Sequence, residues 1–463
     1  MDRRKFLQTA TLAAGGVALA AAEDRPVAAQ GTTASGTPTA PTSGSASSDR
    51  WARRSPKGAP VVRRFNEQEW LLDNVIATRG VDWDQGRTSG LIRACGDEAK
   101  GDMDALKKQV KRYADIAPAF EQLARQREAR AKEAEASGNK TSARDNYFIA
   151  AQYWASAMWP IDEVNDRLRM YNERKNETFA KYATLADHRI ERAQIPYRGT
   201  TLSGIFHLPP GYSGGKVPVI VLIQGMDGYK EKSVSLYGDN WMERGAAVLA
   251  FEGPGYWEAP LRGIYVDMAG WGEAGKAAMD WLASRAEVDT GKIGVTGSSY
   301  GSLFSVAMLA AEPRYKACAV TGTCYEPGGE TIFNRASPTF KKRFMFMSGI
   351  TDEGEFDEFR KTIDWKGYAE KVKAPYLILS GEYDQLAPME HTESFLKALG
   401  GPKQLVVYQG GTHSVTGSSA SVKGPEPRKL QSEWLMARLE GKPIDSERWF
   451  VDLEGKISKT RVS

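Results

Sequence analysis

The sequence predicts an α/β protein, a doubly wound and mostly parallel sheet preceded by a helical domain. Continuous apolar runs of strand length, residues 218–223 and 246–251 among them, read as strands buried on both faces. Helix-length segments alternate with them, as right-handed crossovers between parallel strands require. Several of the runs end in glycine-rich stretches, and sheets of this kind bind their ligands at the carboxyl ends of the strands.

The 463 residues are enough for two or three domains and a large core. With 62 basic and 58 acidic residues the net charge is only +4, too weak a field for nucleic acid as a partner. Three cysteines, Cys95, Cys318 and Cys324, and four histidines match no zinc spacing, so neither a metal nor another cofactor is predicted. Cys318 and Cys324 could form one bridge, but buried free thiols are the simpler reading.

Residues 1–30 have the form of a secretory signal: a basic start with Arg3 and Arg4, then Phe6 and Leu7, then an uncharged apolar stretch ending in alanines. The paired arginines resemble a bacterial twin-arginine export signal. A membrane anchor needs about 20 strongly apolar residues, and this stretch is shorter and diluted by Thr and Gly. The expected location is therefore periplasmic or secreted, with no stable membrane span once the signal is removed. Residues 31–60, dominated by Gly, Thr, Ser, Ala and Pro in their first part, read as a linker.

Residues 61–185 read as a helical domain. Its expected helices cover residues 67–78, with Trp70, Leu71, Val75 and Ile76 at helical spacing, then 102–136 with a break at Pro118, 142–159 stopped by Pro160, and 162–182. Trp70, Tyr147, Tyr153, Trp154 and Trp159 are read first as packing residues, and second as walls of a lid over a pocket. The turn-rich residues 80–87 carry no assignable chemistry.

From residue 186 to 445 the period becomes that of an α/β domain. An antiparallel hairpin (190–196 and 201–208) comes first. The strand at 218–223 follows, ending in Gln224-Gly225-Met226-Asp227-Gly228, then a helix, the strand at 246–251, and a helix over 270–286. After the strand at 317–321, residues 323–372 form a long insertion rich in Phe and Met, the expected cap over the pocket. Strands at 376–380 and 404–408 close the sheet, and residues 446–463 read as a C-terminal tail.

The chemistry centres on Gly297-Ser298-Ser299-Tyr300-Gly301, between an apolar run and a segment of small residues. This fits the G-x-S-x-G nucleophile elbow, with Ser299 exposed on a sharp turn from strand to helix. The backbone N–H of Tyr300, just after the nucleophile, and that of Met226 are the expected oxyanion donors. His188 and His207 precede the nucleophile and read as structural, while His391 falls in a helix. His413, on a Gly-Gly-Thr loop at a strand end, remains as the base. Asp384 is preferred over Glu382 as the acid, because its shorter side chain holds an imidazole in one place. Ser, Asp and His in that chain order are those of an α/β-hydrolase.

The segment Gly225-Met226-Asp227-Gly228-Tyr229-Lys230-Glu231, the elbow, Gly381-Glu382-Tyr383-Asp384 and Gly411-Thr412-His413, behind a helical N-terminal region, resemble one hydrolase family. It includes 2,6-dihydroxypseudooxynicotine hydrolase, the FrsA-like esterases and the fungal polyketide-shortening hydrolases of pigment synthesis. The resemblance covers residues 62–440. It implies a Ser299, Asp384, His413 triad, a substrate site between the helical domain and the sheet, and a homodimer. Several relatives cleave carbon–carbon bonds with the help of a second carboxylate; Glu330 is the candidate, with Glu326 its rival. Tyr300 is bulkier than the residue common after the nucleophile, so its ring is expected to bear on what fits.

The sequence thus predicts an exported serine hydrolase acting on a small-molecule carbonyl substrate, with ester or amide hydrolysis preferred. Hydrolytic carbon–carbon cleavage of a 1,3-dicarbonyl or acyl-phenol compound is the alternative. A non-catalytic binding protein on the same fold is the second.

Overall fold

Ten strands form one sheet in the order β1-β2-β4-β3-β5-β6-β7-β8-β9-β10 in the computed structural model of the protein, which describes residues 64–462. The signal and linker readings lie outside the described residues. β1 (Ile190–Tyr197) and β2 (Thr200–His207) pair antiparallel through the two-residue turn Arg198-Gly199, both at positive φ, as a type I′ hairpin requires. β3 (Val217–Ile223), β4 (Ala247–Glu252), β5 (Val288–Ser299), β6 (Ala317–Thr323), β7 (Tyr376–Gly381), β8 (Lys403–Tyr408) and β9 (Glu447–Val451) run parallel. β10 (Ile457–Arg461) returns antiparallel on the edge. β4, β7 and β8 are buried along their whole length, the physical origin of their uninterrupted apolar runs.

Two expectations are corrected here. The strand at 404–408 is not the last, because residues read as a tail supply β9 and β10. Their mixed composition suits a half-covered sheet edge, with Glu447, Arg448 and Trp449 in succession in β9. Nor does an α-helix follow β3. Only single 3-10 turns, Lys230–Lys232 and Met242–Arg244, lie between β3 and β4. Glycines at positive φ, Gly238 and Gly245, break this segment, and its anchors Tyr229 and Trp241 go to different apolar clusters instead of lining one helical face.

Before the sheet come α1 (Arg64–Arg79), α2 (Arg87–Cys95), α3 (Lys100–Gln109), α4 (Ile116–Ala136), α5 (Lys140–Met158) and α6 (Asp166–Leu185). Pro118 sits in the first turn of α4, where its missing N–H is not needed; the chain breaks earlier, between α3 and α4. On α1 the buried stripe is Leu72 and Ile76, while Trp70, Leu71 and Val75 are exposed. The core of these helices runs without a gap into the sheet, through Ile205 on β2, Ala250 on β4, and Tyr229 and Trp257 in the loops. None of the described helices is long and apolar enough to cross a membrane.

A buried charge cluster pins the same junction. Lys230 Nζ lies 2.7 Å from Glu258, 3.0 Å from Glu231 and 3.1 Å from Glu252, and Lys175 Nζ on α6 lies 2.8 Å from Glu231. Burial opposes the charge on Lys230, but the three carboxylates outweigh it and hold its ammonium well above the usual lysine range. Removing one partner from such a cluster leaves charge buried and uncompensated. Lys230→Met is therefore expected to destabilise the fold by about 3–5 kcal/mol, measured by urea unfolding.

The remaining helices flank the sheet: α7 (Glu258–Leu261), α8 (Met268–Ala283), α9 (Tyr300–Ala311), α10 (Pro338–Ser348), α11 (Glu353–Phe359), α12 (Met389–Ala398), α13 (Ser419–Lys423) and α14 (Pro427–Leu439). α10 and α11 belong to the insertion between β6 and β7. Its rings Phe333, Phe344 and Phe356 pack on one another, and the first two pack on Tyr300.

Candidate active site

Ser299 ends β5 and caps α9 at φ 52°, ψ −126°, a strained conformation for a residue with a Cβ. Glycines make the turn sterically feasible. A Cβ on Gly297 would lie 2.4 Å from the Gly301 carbonyl oxygen, and one on Gly301 would lie 2.4 Å from that of Ile223. Because the obstacles are backbone atoms, Gly301→Ala is expected to destabilise the protein by about 1–3 kcal/mol through overpacking, read as a lowered thermal midpoint.

His413 Nε2 lies 3.1 Å from Ser299 Oγ, and His413 Nδ1 lies 2.8 and 3.0 Å from the two oxygens of Asp384. The loops after β8 and β7 bring these side chains to the carboxyl edge of the sheet beside the elbow. Asp384 is fixed in turn: its Oδ1 accepts the backbone N–H groups of Leu386 (2.9 Å) and Ala387 (3.1 Å), and its side chain has no solvent exposure. The other candidates lie elsewhere. Glu382 accepts the Gly410 N–H. His391 faces Glu326 at 3.7 Å. His188 and His207 stack on each other at the sheet edge.

The loop after β3, which carries the expected oxyanion donor Met226, approaches the serine closely, since a Cβ on Gly225 would come within 3.0 Å of Ser299 Cβ. The Met226 N–H, outside any helix or strand, donates to no backbone carbonyl among the described residues. The Tyr300 N–H is at the start of α9, where a helix has no internal acceptor for it. Met226 O accepts from Arg343 Nε at 3.2 Å, which fixes the next peptide, Met226–Asp227, on the other side of the Met226 Cα. The Arg343 guanidinium is stacked 3.6 Å over the Trp257 ring, and burial pushes its pKa down to about 10, so it stays charged at neutral pH.

A cavity of about 490 Å³ opens over Ser299 and His413. Its walls come more from the N-terminal helices, with Arg87, Leu91, Phe120, Ser156 and Trp159, than from the insertion, which contributes Phe340. Among the N-terminal aromatics, Trp159 lines this space and carries Arg87 stacked at 3.4 Å, while Tyr147, Tyr153 and Trp154 are buried in packing. Tyr300 does not line the cavity. Its ring is buried against Phe304, Phe333 and Phe344, so its bulk is absorbed by the insertion, contrary to the expectation that it would decide what fits. Glu330 is also absent from the cavity wall. It accepts from Asn334 and Arg360, and its side chain is 42% exposed.

Sequence reasoning missed three features. Residues 80–87 dock onto the loop after β3: Gln85 Nε2 donates to Asp227 at 2.7 Å and Arg87 Nη2 at 3.3 Å, while Asp84 accepts from Arg87 at 2.6 Å. The charged residues concentrated in that turn were the available signal. Cys324 Sγ lies 3.4 Å from Ser299 Oγ; its place just past the end of β6 could have suggested the site. Burial raises its thiol pKa, which keeps it a neutral neighbour instead of a competing thiolate nucleophile. All three cysteines are free, so Cys318 and Cys324 do not pair. Arg343 gave no sequence signal.

Known proteins resemble this chain along much of the same length. A model of the prolyl oligopeptidase family matches residues 275–436, and one of the X-Pro dipeptidyl-peptidase (S15) family matches residues 199–327. An α/β-hydrolase of Xenoacremonium sinensis is 30% identical over 256 residues, covering 52% of this chain and 58% of its own. The 2,6-dihydropseudooxynicotine hydrolase of Paenarthrobacter nicotinovorans is 25% identical over 291 residues, 62% of this chain and 74% of its own. This chain spans little more than half the length of the fungal relatives it matches. In fold, the crystal structure of 2,6-dihydroxy-pseudo-oxynicotine hydrolase superposes with a TM-score of 0.64 at 23% identity, over 77% of this chain and 97% of that one. With the strand order and the helical N-terminal region, these matches show the α/β-hydrolase fold and a likeness to the fungal α/β-hydrolases and to 2,6-dihydropseudooxynicotine hydrolase.

Proposed function

We propose that the protein is an exported serine hydrolase that cleaves an ester or amide of a small molecule. Ser299 Oγ attacks the carbonyl carbon. His413 Nε2 takes the hydroxyl proton and returns it to the leaving group. Asp384 holds the imidazole with Nδ1 protonated, and the N–H groups of Met226 and Tyr300 stabilise the oxyanion. Water then repeats the sequence on the acyl-enzyme. The observation that carries this reading is the continuous chain Ser299 Oγ, His413, Asp384, with spacings of 3.1 and 2.8 Å, on a serine held at φ 52°.

Ester or amide hydrolysis is favoured over carbon–carbon cleavage because Glu330, the candidate second carboxylate, is engaged by Arg360 and Asn334 outside the cavity wall. A panel of aryl esters and β-diketones with products identified by mass tests this. An acid with an alcohol or amine is the expected pair, whereas an acid with a ketone or arene would sink it. A fluorophosphonate probe is expected to label Ser299, and an unlabelled serine would point to a binding protein instead.

Export rests on the paired Arg3 and Arg4 ahead of an apolar, alanine-ending stretch. N-terminal sequencing of periplasmic material is expected to find the chain cleaved before residue 31; an intact Met1 start there would contradict export. Light scattering of the purified protein tests the homodimer that the resemblance implies.

A further inference from the structure

The cavity over Ser299 is lined by four cationic side chains, Arg87, Arg93, Lys232 and Arg428, but by only two carboxylates, Asp227 and Asp239. Both acids are already engaged. Asp227 accepts from Gln85 and Arg87. Asp239 accepts the Trp241 N–H at 2.8 Å, and burial raises its carboxyl to about 6, which weakens its charge near neutral pH.

Arg87 is held by Asp84 and Asp227, but the other three cations have no ion-pair partner among the described residues. The Lys232 ammonium lies 5.0 Å from the Tyr229 ring centroid and meets no carboxylate at ion-pair distance. Burial, then Arg87, push its pKa down to about 8. Arg428 is exposed at the cavity mouth, where partial desolvation and next the charge of Arg93 disfavour its cation. A half-buried ammonium with no carboxylate partner, beside further cations at the cavity mouth, is stabilised when an anion joins it.

We propose that Lys232, with Arg93 and Arg428 nearer the solvent, forms a subsite for a carboxylate on the substrate, so that the preferred substrates are esters or amides bearing a free acid group. The inference rests on Ser299 acting in the same cavity, as proposed above, and it assigns one end of the substrate to Lys232 and the scissile carbonyl to Ser299. Trp159 and Phe340 supply apolar wall to the same cavity, which suits an aryl or alkyl body between the two polar ends.

The test uses two matched pairs of esters: 4-acetoxybenzoate against its methyl ester, and mono-4-nitrophenyl adipate against 4-nitrophenyl hexanoate. The acid member of at least one pair is expected to show about ten- to hundredfold higher kcat/KM, chiefly through KM, and the advantage should shrink as salt screens it. Lys232→Met is expected to collapse that ratio and Lys232→Arg to keep it, with circular dichroism checking that both variants are folded. Equal or inverted preference in both pairs would overturn the proposal. So would a preference unchanged in Lys232→Met and in Arg428→Gln. Binding separates this inference from the reading of Ser299. Calorimetric titration of Ser299→Ala protein with 4-acetoxybenzoate and its methyl ester is expected to show tighter binding of the acid, even if neither ester is turned over by the wild type. No difference in that titration would overturn the subsite whatever the fate of the triad.

Discussion

Replacing Ser299 with alanine is expected to lower kcat by about 10⁶-fold while leaving the thermal midpoint close to that of the wild type. Among the described residues the hydroxyl makes hydrogen bonds to His413 and the Cys324 thiol alone, so its loss empties no packed core. Alanine keeps the Cβ that the turn already accommodates at φ 52°, and the elbow glycines that relieve the crowding are untouched. What disappears is the covalent route. The oxyanion donors would still bind a polarised carbonyl, so a residual rate of about 10³–10⁴ over water is expected. Steady-state kinetics on an aryl ester, paired with a melting curve, reads both quantities. Near-normal turnover by the variant would remove Ser299 from the mechanism.

Asp384→Asn is expected to cost about 10⁴-fold in kcat, with a folded protein. The carboxylate accepts three donors at once: the Leu386 and Ala387 amides and His413 Nδ1–H. An asparagine can keep its oxygen on the two amides only by turning its NH₂ group toward His413. The imidazole would then accept at Nδ1 and carry its proton on Nε2, facing Ser299, where it cannot serve as a base. Because the side chain is fully shielded from solvent, no water relieves the mismatch. A loss of less than tenfold would mean that another group orients the histidine.

How far the site could be read in advance depended on the kind of constraint acting at each position. The elbow was legible because its glycines answer to backbone crowding that its motif records: Gly297 faces the Gly301 carbonyl across the turn and Gly301 faces that of Ile223 at the end of β3, and no other residue fits there. His413 was reachable by elimination among four histidines. Asp384 and Glu382 were harder to separate, since both sit on one loop; the structure turns Glu382 outward to Gly410 and Asp384 inward to the imidazole. Cys324 was read as ordinary strand core, although its place just past the end of β6 was the signal that could have pointed to Ser299. The Asp227 contacts with Gln85 and Arg87 join positions 142 and 140 residues apart, and no spacing rule spans that distance.

The same division holds for the fold. The central strands declared themselves because burial on both faces demands apolar side chains at successive positions, while β9 and β10, at a half-exposed edge, carry no such demand. Trp70, Leu71 and Val75 have helical spacing, yet the face that α1 buries is that of Leu72 and Ile76. Spacing defines a helix but not which side of it meets a neighbour. By itself, then, the sequence determined the class of the sheet, the position of the elbow, and the order of serine, acid and histidine along the chain, since these follow from local backbone geometry and two-sided burial. Only the tertiary structure decided that the N-terminal helices wall the cavity, that the Tyr300 ring is spent on packing, that Glu330 points to Arg360, and that unpartnered cations gather over the serine. Each of those depends on which distant surfaces meet.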